Sequence, residues 1–244
     1  MASNILFGFH AVTVRLKTAP KSIVEIHVDT TRRDQRMRQF VERAKDAGAR
    51  LIDSDDTRLQ KLCGTHRHQG VVARAEAVAM SHSLDDTLDA VDGDPLLLVL
   101  DGITDPHNLG ACLRVADGAG VHAVLAPKDH AVGLNATVAK VSSGASDTVP
   151  YLMVTNLARS LNELKERNIR VIGLSDTAQK SLYDIDLSGP VAFVLGAEGS
   201  GMRQLTAKTC DELVSLPMRG AVESLNVSVA AGICLYEVVR QRGG

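Results

Sequence analysis

The side chains best placed for chemistry stand at 216–230, in a segment that reads LPMRGAVESLNVSVA. A strand-like ending is followed there by a loop of small residues and by a long apolar helical pattern, whose first turn carries Ser224 and Asn226. Backbone N–H groups at a helix start lack partners within the helix, so they form a binding surface with nearby polar side chains. The Asn226 amide donates and accepts in one plane, which suits recognition of a purine edge. The alternative is an ordinary helix start with Ser224 as its N-cap.

Two further segments have the same build, a strand end followed by a polar loop that contains glycine. The first reads DPHNLGACLR at 105–114, where Asn108 is well placed as a helix N-cap. Arg114 follows Gly110 by four residues and shares its helical face, which leaves room for a flat or anionic ligand. The alternative is that Arg114 only pairs with Asp117, three residues further on.

The second of these segments reads GAEGSG at 196–201. Three glycines in six residues permit a backbone path closed to other residues, and a close approach of a ligand. The spacing matches neither the dinucleotide-binding fingerprint nor the P-loop, which disfavours a nicotinamide enzyme. Glu198 is the only charge in this turn and is suited to orient an arginine or a substrate hydroxyl. The alternative is a tight turn with a solvated glutamate.

The elements that must position these loops form a regular pattern from Leu96 onward. The run at 96–100 is continuously apolar, which is typical of a strand buried on both faces of a parallel sheet. Further strands are predicted at 123–126, 171–174, 191–195 and 213–216. Helices are predicted at 109–119, 135–141, 157–167 and 203–209, and after Ser224. This alternation predicts an α/β fold with a doubly wound sheet. In such sheets ligands bind beyond the carboxyl ends of the strands, and all three loops lie there.

The first 75 residues form a separate, smaller α/β pattern. Strands are predicted at 22–28, 50–53 and 70–77, and helices at 34–47 and 57–63. A polar and acidic stretch follows, and it ends at Gly93 and Pro95. We therefore expect domains at 1–75 and 93–244, joined by a linker at 76–92.

The net charge of −2 conceals an asymmetry between the two predicted domains. Residues 1–75 contain 14 Lys and Arg against 8 Asp and Glu, whereas the remaining chain contains 13 against 21. A basic module joined to an acidic one favours a polyanionic partner such as nucleic acid for the first. Aromatic residues make up only 3% and Trp is absent, which disfavours binding by rows of stacked bases. The alternative is a solvated helix face formed by Arg32, Arg33, Arg36, Arg38, Arg43 and Lys45.

Targeting and metal signals are weak in this chain. No apolar run approaches the ~20 residues of a membrane span, and the N-terminus does not resemble a signal peptide, so we expect no membrane association and a cytoplasmic location. The four cysteines are widely spaced without a C-x-x-C pair, which indicates small buried hydrophobes. His66 and His68 have no nearby cysteine or acidic partner to complete a site, so no metal is predicted.

The three loops together resemble the motifs of the SpoU/TrmH RNA ribose methyltransferases of the SPOUT class. The resemblance covers the whole chain and is most specific over 96–244. The motif N-x-G-x-x-x-R is matched by Asn108, Gly110 and Arg114, and G-x-E-x-x-G is matched by Gly196, Glu198 and Gly201. The third motif, P-M-x-G-x-x-x-S-L-N-V-S, is matched by Pro217, Met218, Gly220, Ser224, Leu225, Asn226, Val227 and Ser228. One departure is Asp105, where many members have asparagine.

The resemblance implies a fold, a cofactor and an assembly. It implies a SPOUT parallel sheet with a deep trefoil knot near the C-terminal end, where S-adenosylmethionine is held in a bent form. It also implies a homodimer whose catalytic domains meet at the cofactor site. The basic N-terminal domain resembles the ribosomal-protein-like (L30e-like) substrate domain of members that act on large-subunit rRNA.

The resemblance also implies a reaction. Among family members, the chain most resembles the bacterial enzymes that methylate the 2′-hydroxyl of a guanosine in the peptidyl-transferase P loop of 23S rRNA, so 23S rRNA is the expected partner. One alternative is 2′-O-methylation of tRNA or of another rRNA nucleotide. Another is an RNA-binding ribosome-assembly factor without turnover.

Roles for individual residues follow from the matched motifs. Arg114 is expected to clamp the substrate phosphate and stabilise the developing alkoxide, because a guanidinium stays protonated and is a poor base. Glu198 is expected to orient Arg114, and Ser224 and Asn226 to position the ribose. The catalytic set is Asn108, Arg114, Glu198, Ser224 and Asn226. The expected cofactor contacts are Leu195, Gly196, Gly201, Leu216, Met218, Gly220, Leu225 and Val227.

Overall fold

The computed structural model describes residues 3–76 and 83–243. Its internal contacts divide the chain into two units, Met1–Met80 and Ser81–Gly244. The elements of the first unit are β1 (Ser3–Phe7), α1 (Phe9–Thr18), β2 (Ile23–Asp29), α2 (Gln35–Asp46), β3 (Leu51–Ser54), α3 (Asp56–Cys63) and β4 (Val71–Glu76). The three strands and two helices predicted here are confirmed to within two residues at each described end, except that Ala77 lies outside the described residues. Sequence analysis did not predict β1 and α1.

The first unit is built on a mixed four-stranded sheet in the order β1-β4-β2-β3. The strand β4 pairs antiparallel with both β1 and β2, whereas β2 and β3 are parallel. The helix α2 begins after Asp34, whose carboxylate accepts a hydrogen bond from the N–H of Met37 at 3.1 Å. Met37, Phe40 and Ala44 form its buried face, at the spacing of a helix that covers a sheet.

The exposed surface of α2 carries several basic side chains. Arg36, Arg38, Arg43 and Lys45 are exposed on the two flanks of its buried face. The guanidinium groups of Arg32 and Arg36 lie 5.0 Å and 4.6 Å from the centre of the buried Phe9 ring, so these two arginines also contribute cation–π packing. The exposed cations fit the nucleic-acid interpretation, and they equally fit a solvated helix face.

The second unit contains a larger parallel sheet. Its elements are α4 (Leu84–Asp89), β5 (Leu96–Asp101), α5 (Pro106–Gly118), β6 (Ala123–Pro127), α6 (Ala136–Val141), β7 (Tyr151–Val154), α7 (Leu157–Glu166), β8 (Arg170–Leu174), β9 (Val191–Gly196), α8 (Gln204–Thr209), β10 (Glu212–Val214) and α9 (Val227–Gln241). The six strands are all parallel and lie in the order β10-β8-β9-β5-β6-β7. The predicted doubly wound α/β sheet is therefore confirmed, with β7 as a strand that sequence analysis did not predict.

Side chains from the central strands alternate between two apolar cores, one on each face of the sheet. Leu98 and Phe193 lie in one core, and Leu97 and Val194 lie in the other. All four are fully buried, which explains why the sequence runs of these strands are continuously apolar. The strand order reverses between β5 and β9, where Asp101 pairs with Gly196 in register. Ligands of such sheets bind at this kind of switch point.

The predicted linker at 76–92 is only partly a linker. Residues 77–82 lie outside the described residues. The helix α4, however, packs Leu88 into the core of the second unit. Arg167 after α7 pairs with Asp85 and Asp89, each at 2.7 Å, which fastens α4 to the same unit. The residues of α4 therefore belong to the second unit.

Two of the four cysteines behave as buried hydrophobes. Cys112 and Cys234 are fully buried, and burial raises the pKa of each thiol to about 12. Both thiols are therefore protonated at neutral pH and contribute to packing. Cys63 and Cys210 are half-buried, and neither is in a disulfide bond.

Within residues 3–76 and 83–243, no cluster of three or more His, Cys, Asp or Glu side chains is arranged to hold a metal, and no helix is long and apolar enough to cross a membrane.

Candidate active site

The three polar loops meet at the carboxyl ends of β5 and β9. The Asn226 amide nitrogen donates to Glu198 Oε1 at 2.6 Å and to Asn108 Oδ1 at 2.9 Å. Asn108 in turn donates to Glu198 Oε1 at 3.4 Å. One carboxylate therefore joins loops that are separated by as many as 118 residues in the sequence.

The start of α9 differs from the predicted one. Asn226, and not Ser224, is the N-cap, and its Oδ1 accepts hydrogen bonds from the N–H of Ser228 at 2.9 Å and from its hydroxyl at 2.6 Å. The N–H of Val227 donates to Glu198 at 3.4 Å, so a negative charge lies at the positive end of this helix. Because both donors and the oxygen of the Asn226 amide are engaged within the protein, this amide does not present a free edge to a purine.

The start of α5 also differs from the prediction. Asp105 is its N-cap, accepting from the N–H of His107 at 3.0 Å, and Pro106 occupies the first helical position. Both residue types are favoured there, since an aspartate satisfies an N–H and proline has none to satisfy. Asn108 consequently lies within the first turn of the helix, from which its side chain reaches the network with Glu198.

Gly110 serves helix packing instead of a ligand. It is buried, and a Cβ built on it would lie 2.7 Å from the Cβ of Val141, so the missing side chain lets α5 and α6 approach closely. The prediction that this glycine leaves space for a ligand is therefore wrong. The neighbouring turn instead exposes Arg114, whose side chain makes no hydrogen bond or ion pair with any residue that the structure describes.

Neither predicted partner of Arg114 forms a hydrogen bond or an ion pair with its side chain. Asp117 instead accepts a hydrogen bond from the Thr148 hydroxyl at 2.5 Å. Glu198 is bonded to Asn108 and Asn226, as described above. Neither the pairing of Arg114 with Asp117 nor a bond from Glu198 to Arg114 is present in this structure.

The loop at 196–201 closes tightly on itself. Ala197 and Gly201 exchange backbone hydrogen bonds of 3.1 Å and 2.9 Å. Gly199 and Gly201 have φ angles of +78° and +67°, which glycine adopts without strain. A Cβ on Gly196 would lie only 2.0 Å from the carbonyl carbon of Gly201, so no other residue fits under this loop.

A cavity of about 380 Å³ opens between this loop, the end of β8 and the segment before α9. Its size falls in the range of small-molecule sites. Seven of the eight residues predicted to bind the cofactor line it: Leu195, Gly196, Gly201, Leu216, Met218, Leu225 and Val227. Gly220 does not. Of the predicted catalytic residues, Glu198 and Ser224 line the cavity, whereas Asn108, Arg114 and Asn226 do not.

The cavity wall carries carboxylates without a matching cation. Asp176, Glu198 and Glu223 line it, and its lining, drawn from the described part of the chain, includes no Lys, Arg or His. Asp176 and Glu223 were not predicted. Asp176 follows the predicted strand at 171–174 by two residues, and this position beyond a strand end is the signal that points to it.

Family models match both units of the chain. The model described as the SpoU rRNA Methylase family matches residues 95–236, more than half of the chain. The chain belongs to the SpoU methylase family. A second model, described as RNA 2′-O ribose methyltransferase substrate binding, matches residues 5–80 of this SpoU-family chain.

Relatives of this SpoU-family chain match it almost end to end. It is 62% identical over 240 residues to the 23S rRNA (guanosine-2′-O-)-methyltransferase RlmB of Ralstonia nicotianae, covering 98% of this chain and 96% of the relative. It is 58% identical over 243 residues to the protein of the same name from Bordetella pertussis, covering 100% of this chain and 99% of that relative.

Solved structures share the SpoU fold. A crystal structure of an RNA 2′-O ribose methyltransferase superimposes with a TM-score of 0.71 at 27% identity, covering 98% of this chain and 89% of the other. The SpoU methyltransferase AviRb from Streptomyces viridochromogenes, solved with AdoMet, gives a TM-score of 0.69 at 24% identity over 98% of this chain and 90% of its own. At that identity, the second likeness supports the fold alone.

Proposed function

We propose that this chain transfers a methyl group from S-adenosylmethionine to the ribose 2′-hydroxyl of a guanosine in 23S rRNA, in the peptidyl-transferase P loop. The observation that carries the proposal is the near-complete match to relatives of that activity, across both units of the chain. The geometry agrees, because the three loops that carry the motifs surround one cavity or lie beside it.

The cavity suits S-adenosylmethionine in its charge and in its apolar surface. This cofactor carries a sulfonium, an ammonium and a carboxylate group and is positive overall, and the cavity offers three carboxylates and no cation among its lining residues, all of them described. The side chains of Leu195, Leu216 and Leu225 supply apolar surface for a planar base. When bound, the cofactor supplies a methyl group on a sulfonium that is already a good leaving group.

Arg114 is the residue to which we assign the binding of the RNA substrate. Its guanidinium is exposed, and because guanidinium groups are poor bases in general we do not assign the removal of the proton to it. It is suited to hold the phosphate of the target nucleotide and to stabilise negative charge on the 2′-oxygen as the proton leaves. We assign the positioning of the ribose to Ser224, which is exposed at the rim of the cavity.

Glu198 takes a different role from the one expected. Through Asn108 and Asn226 it holds the starts of α5 and α9 against the glycine loop. These three residues therefore act as a positioning network, which fixes the relative places of the cofactor cavity and the turn that bears Arg114. Such fixed geometry is a large part of what an enzyme supplies to a displacement reaction.

The basic first unit is our candidate for rRNA binding, in an L30e-like domain spanning about residues 1–75. Charge reversal at exposed Arg33, Arg38 and Arg43 tests this role, with Arg159→Glu on α7 as a control that is also exposed. Because phosphate contacts dominate such affinity, we expect the triple variant to bind 23S rRNA at least about tenfold more weakly. Equal affinity of the triple variant and the control would contradict the assignment.

We also propose a homodimer through the second unit. One face of α9 exposes Val229 at 50% and Tyr236 at 51%, with the half-buried Ile233 between them at helical spacing. Light scattering of the wild type should give a dimer mass, and Val229→Asp with Tyr236→Asp should give a monomer. Tyr183→Asp, at a residue that is 52% exposed elsewhere on the unit, should leave the dimer intact. A monomeric wild type would contradict the proposal.

Two further expectations rest on family membership. We propose that the C-terminal part of the chain forms a trefoil knot, which is supported by the position of β9 in the sheet, between β5 and β8, both of which precede it in the chain. An experimental chain trace without a threaded loop would contradict it. A cytoplasmic location follows from the proposed rRNA substrate, and fractionation of cells would test it.

The proposed reaction is separated from its alternatives by an assay on purified RNAs. Methyl transfer to 23S rRNA, 16S rRNA and bulk tRNA is measured separately, each from a source that lacks the modification. We expect label in 23S rRNA alone. Label in tRNA or 16S rRNA would favour the alternative substrates, and cofactor binding without transfer to any RNA would favour an assembly factor.

A further inference from the structure

Asp101, the last residue of β5, carries a buried carboxylate that the proposed reaction does not use. The residue is 1% exposed, and its side chain is fully buried. A carboxylate in such a place is unfavourable unless charged and hydrogen-bonding partners compensate for the lost water.

A single residue supplies those partners. The backbone N–H of Arg203 donates to Asp101 Oδ2 at 2.9 Å. The guanidinium of the same arginine approaches Oδ1 through Nε at 2.7 Å and through Nη2 at 2.6 Å. Asp101 thus binds both the main chain and the side chain of Arg203, which fixes the position of the backbone as well as the charge.

The position of Arg203 connects this pair to the glycine loop at 196–201. Gly196, where the loop begins, pairs with Asp101 in the register of β5 and β9. Arg203 lies two residues beyond Gly201, where the loop ends, and returns to the same aspartate. Both ends of the loop are therefore held at Asp101, and Glu198 lies between them.

We propose that Asp101 and Arg203 are positioning residues that hold the glycine loop in its cofactor-binding form before the cofactor arrives. This inference rests on the proposed function of the cavity. A loop ordered in advance does not have to be ordered on binding, so the affinity for the cofactor is higher. The closing of Ala197 on Gly201 and the placement of Glu198 under α9 both depend on where the loop ends are held.

The chain offers a control aspartate just before β10, with a side chain that is 39% exposed. Asp211 accepts a hydrogen bond from the N–H of Val171 at 2.8 Å, and Lys165 Nζ lies 3.8 Å from its carboxylate. It is likewise an aspartate that pairs with a cation and with a backbone N–H in the same sheet. Its partners are Val171 and Lys165, and neither belongs to the glycine loop, so we expect its loss to affect the sheet without affecting the loop.

The test compares Asp101→Asn, Arg203→Lys, Arg203→Ala and Asp211→Asn with the wild type, as full chains, at a temperature where circular dichroism shows each to be folded. Hydrogen exchange reports the order of the free loop through the amides of Ala197 and Gly201. Calorimetry with S-adenosylmethionine reports the affinity. The Arg203 variants keep the test decisive if Asp101→Asn does not fold, because that arginine side chain is 49% exposed.

We expect the two loop amides to exchange faster in the Asp101 and Arg203 variants, and the dissociation constant to rise at least about tenfold, the factor that corresponds to one lost hydrogen bond to a charged group. Arg203→Lys, which keeps the charge and the backbone bond, should fall between Arg203→Ala and the wild type. Asp211→Asn should change neither quantity.

Unchanged exchange at both amides would overturn the proposal, and so would faster exchange with an unchanged dissociation constant. An equal loss of affinity in Asp211→Asn would also overturn it, because a general weakening of the sheet would then explain the result. If the wild type itself does not bind S-adenosylmethionine, the proposed function fails. In that case the hydrogen exchange of the Ala197 and Gly201 amides alone decides whether Asp101 and Arg203 order the loop.

Discussion

Replacing Gly196 by alanine should disable the cofactor cavity while leaving the fold in place. The new Cβ would lie 2.0 Å from the carbonyl carbon of Gly201 and 2.1 Å from the backbone nitrogen of Met202. Real Cβ atoms essentially never approach closer than 3.0 Å, so the loop must move away by about 1 Å or more. Such a shift breaks the two backbone hydrogen bonds between Ala197 and Gly201.

Those two bonds contribute about 1–3 kcal/mol together, which corresponds to a loss of affinity of roughly fivefold to 150-fold. Calorimetry with S-adenosylmethionine measures the change directly. The matched control is Gly220→Ala in the third loop, because nothing lies within 4 Å of its new Cβ and its φ is not positive. An unchanged affinity in Gly196→Ala would refute the reasoning, and so would an equal loss in the control.

Three other variants test separate parts of the account. Arg114→Lys should lower turnover by about a hundredfold with little change in cofactor affinity, because a point charge replaces a fork that binds phosphate at two points; near-normal single-turnover rates would contradict this. Arg242→Ala should lower the free energy of unfolding by about 1–3 kcal/mol, since its guanidinium donates to the carbonyls of Asp94, Pro95 and Gly189; an unchanged urea midpoint would count against it. Burial lowers the pKa of His122 below its ordinary 6.5, so the unfolded chain takes up a proton first as the pH falls, and stability declines below about pH 6.5. His122→Gln should make that decline shallower, and parallel stability curves of variant and wild type would disprove the assignment.

The central strands were predictable because both of their faces pack against apolar cores. β5 and β9 are buried on both faces, so their sequences are continuous apolar runs between polar loops. β7, at the edge of the sheet and only four residues long, lacks that signal. The helix α1 was missed because its sequence, FHAVTVRLKT, mixes β-branched residues into a short helical pattern.

The site was predictable only as separate loops. Each loop follows a strand, so its polar residues could be found from local sequence alone. The bonds that join Glu198 to Asn108 and Asn226 depend on β5 lying beside β9, which local patterns do not specify. The same adjacency places Arg203 on Asp101, 102 residues away, and this pair had no local signal.

The role of Gly110 was mistaken for a related reason. The spacing of Gly110 and Arg114 can be read from the sequence, and it correctly places both residues on one face of α5. The element that packs against this face depends on the tertiary structure, and at the level of the glycine that element is α6. The spacing therefore predicted which residues share a helix face, but it did not predict that another helix packs against that face.

The most direct test of the central claim is to map the methylated nucleoside. The protein is incubated with labelled S-adenosylmethionine and 23S rRNA that lacks the modification, and the product is digested and located by mass spectrometry. The account predicts a single 2′-O-methylguanosine in the peptidyl-transferase P loop. A methyl group on a base, on another nucleotide, or on no RNA at all despite measurable cofactor binding would contradict it.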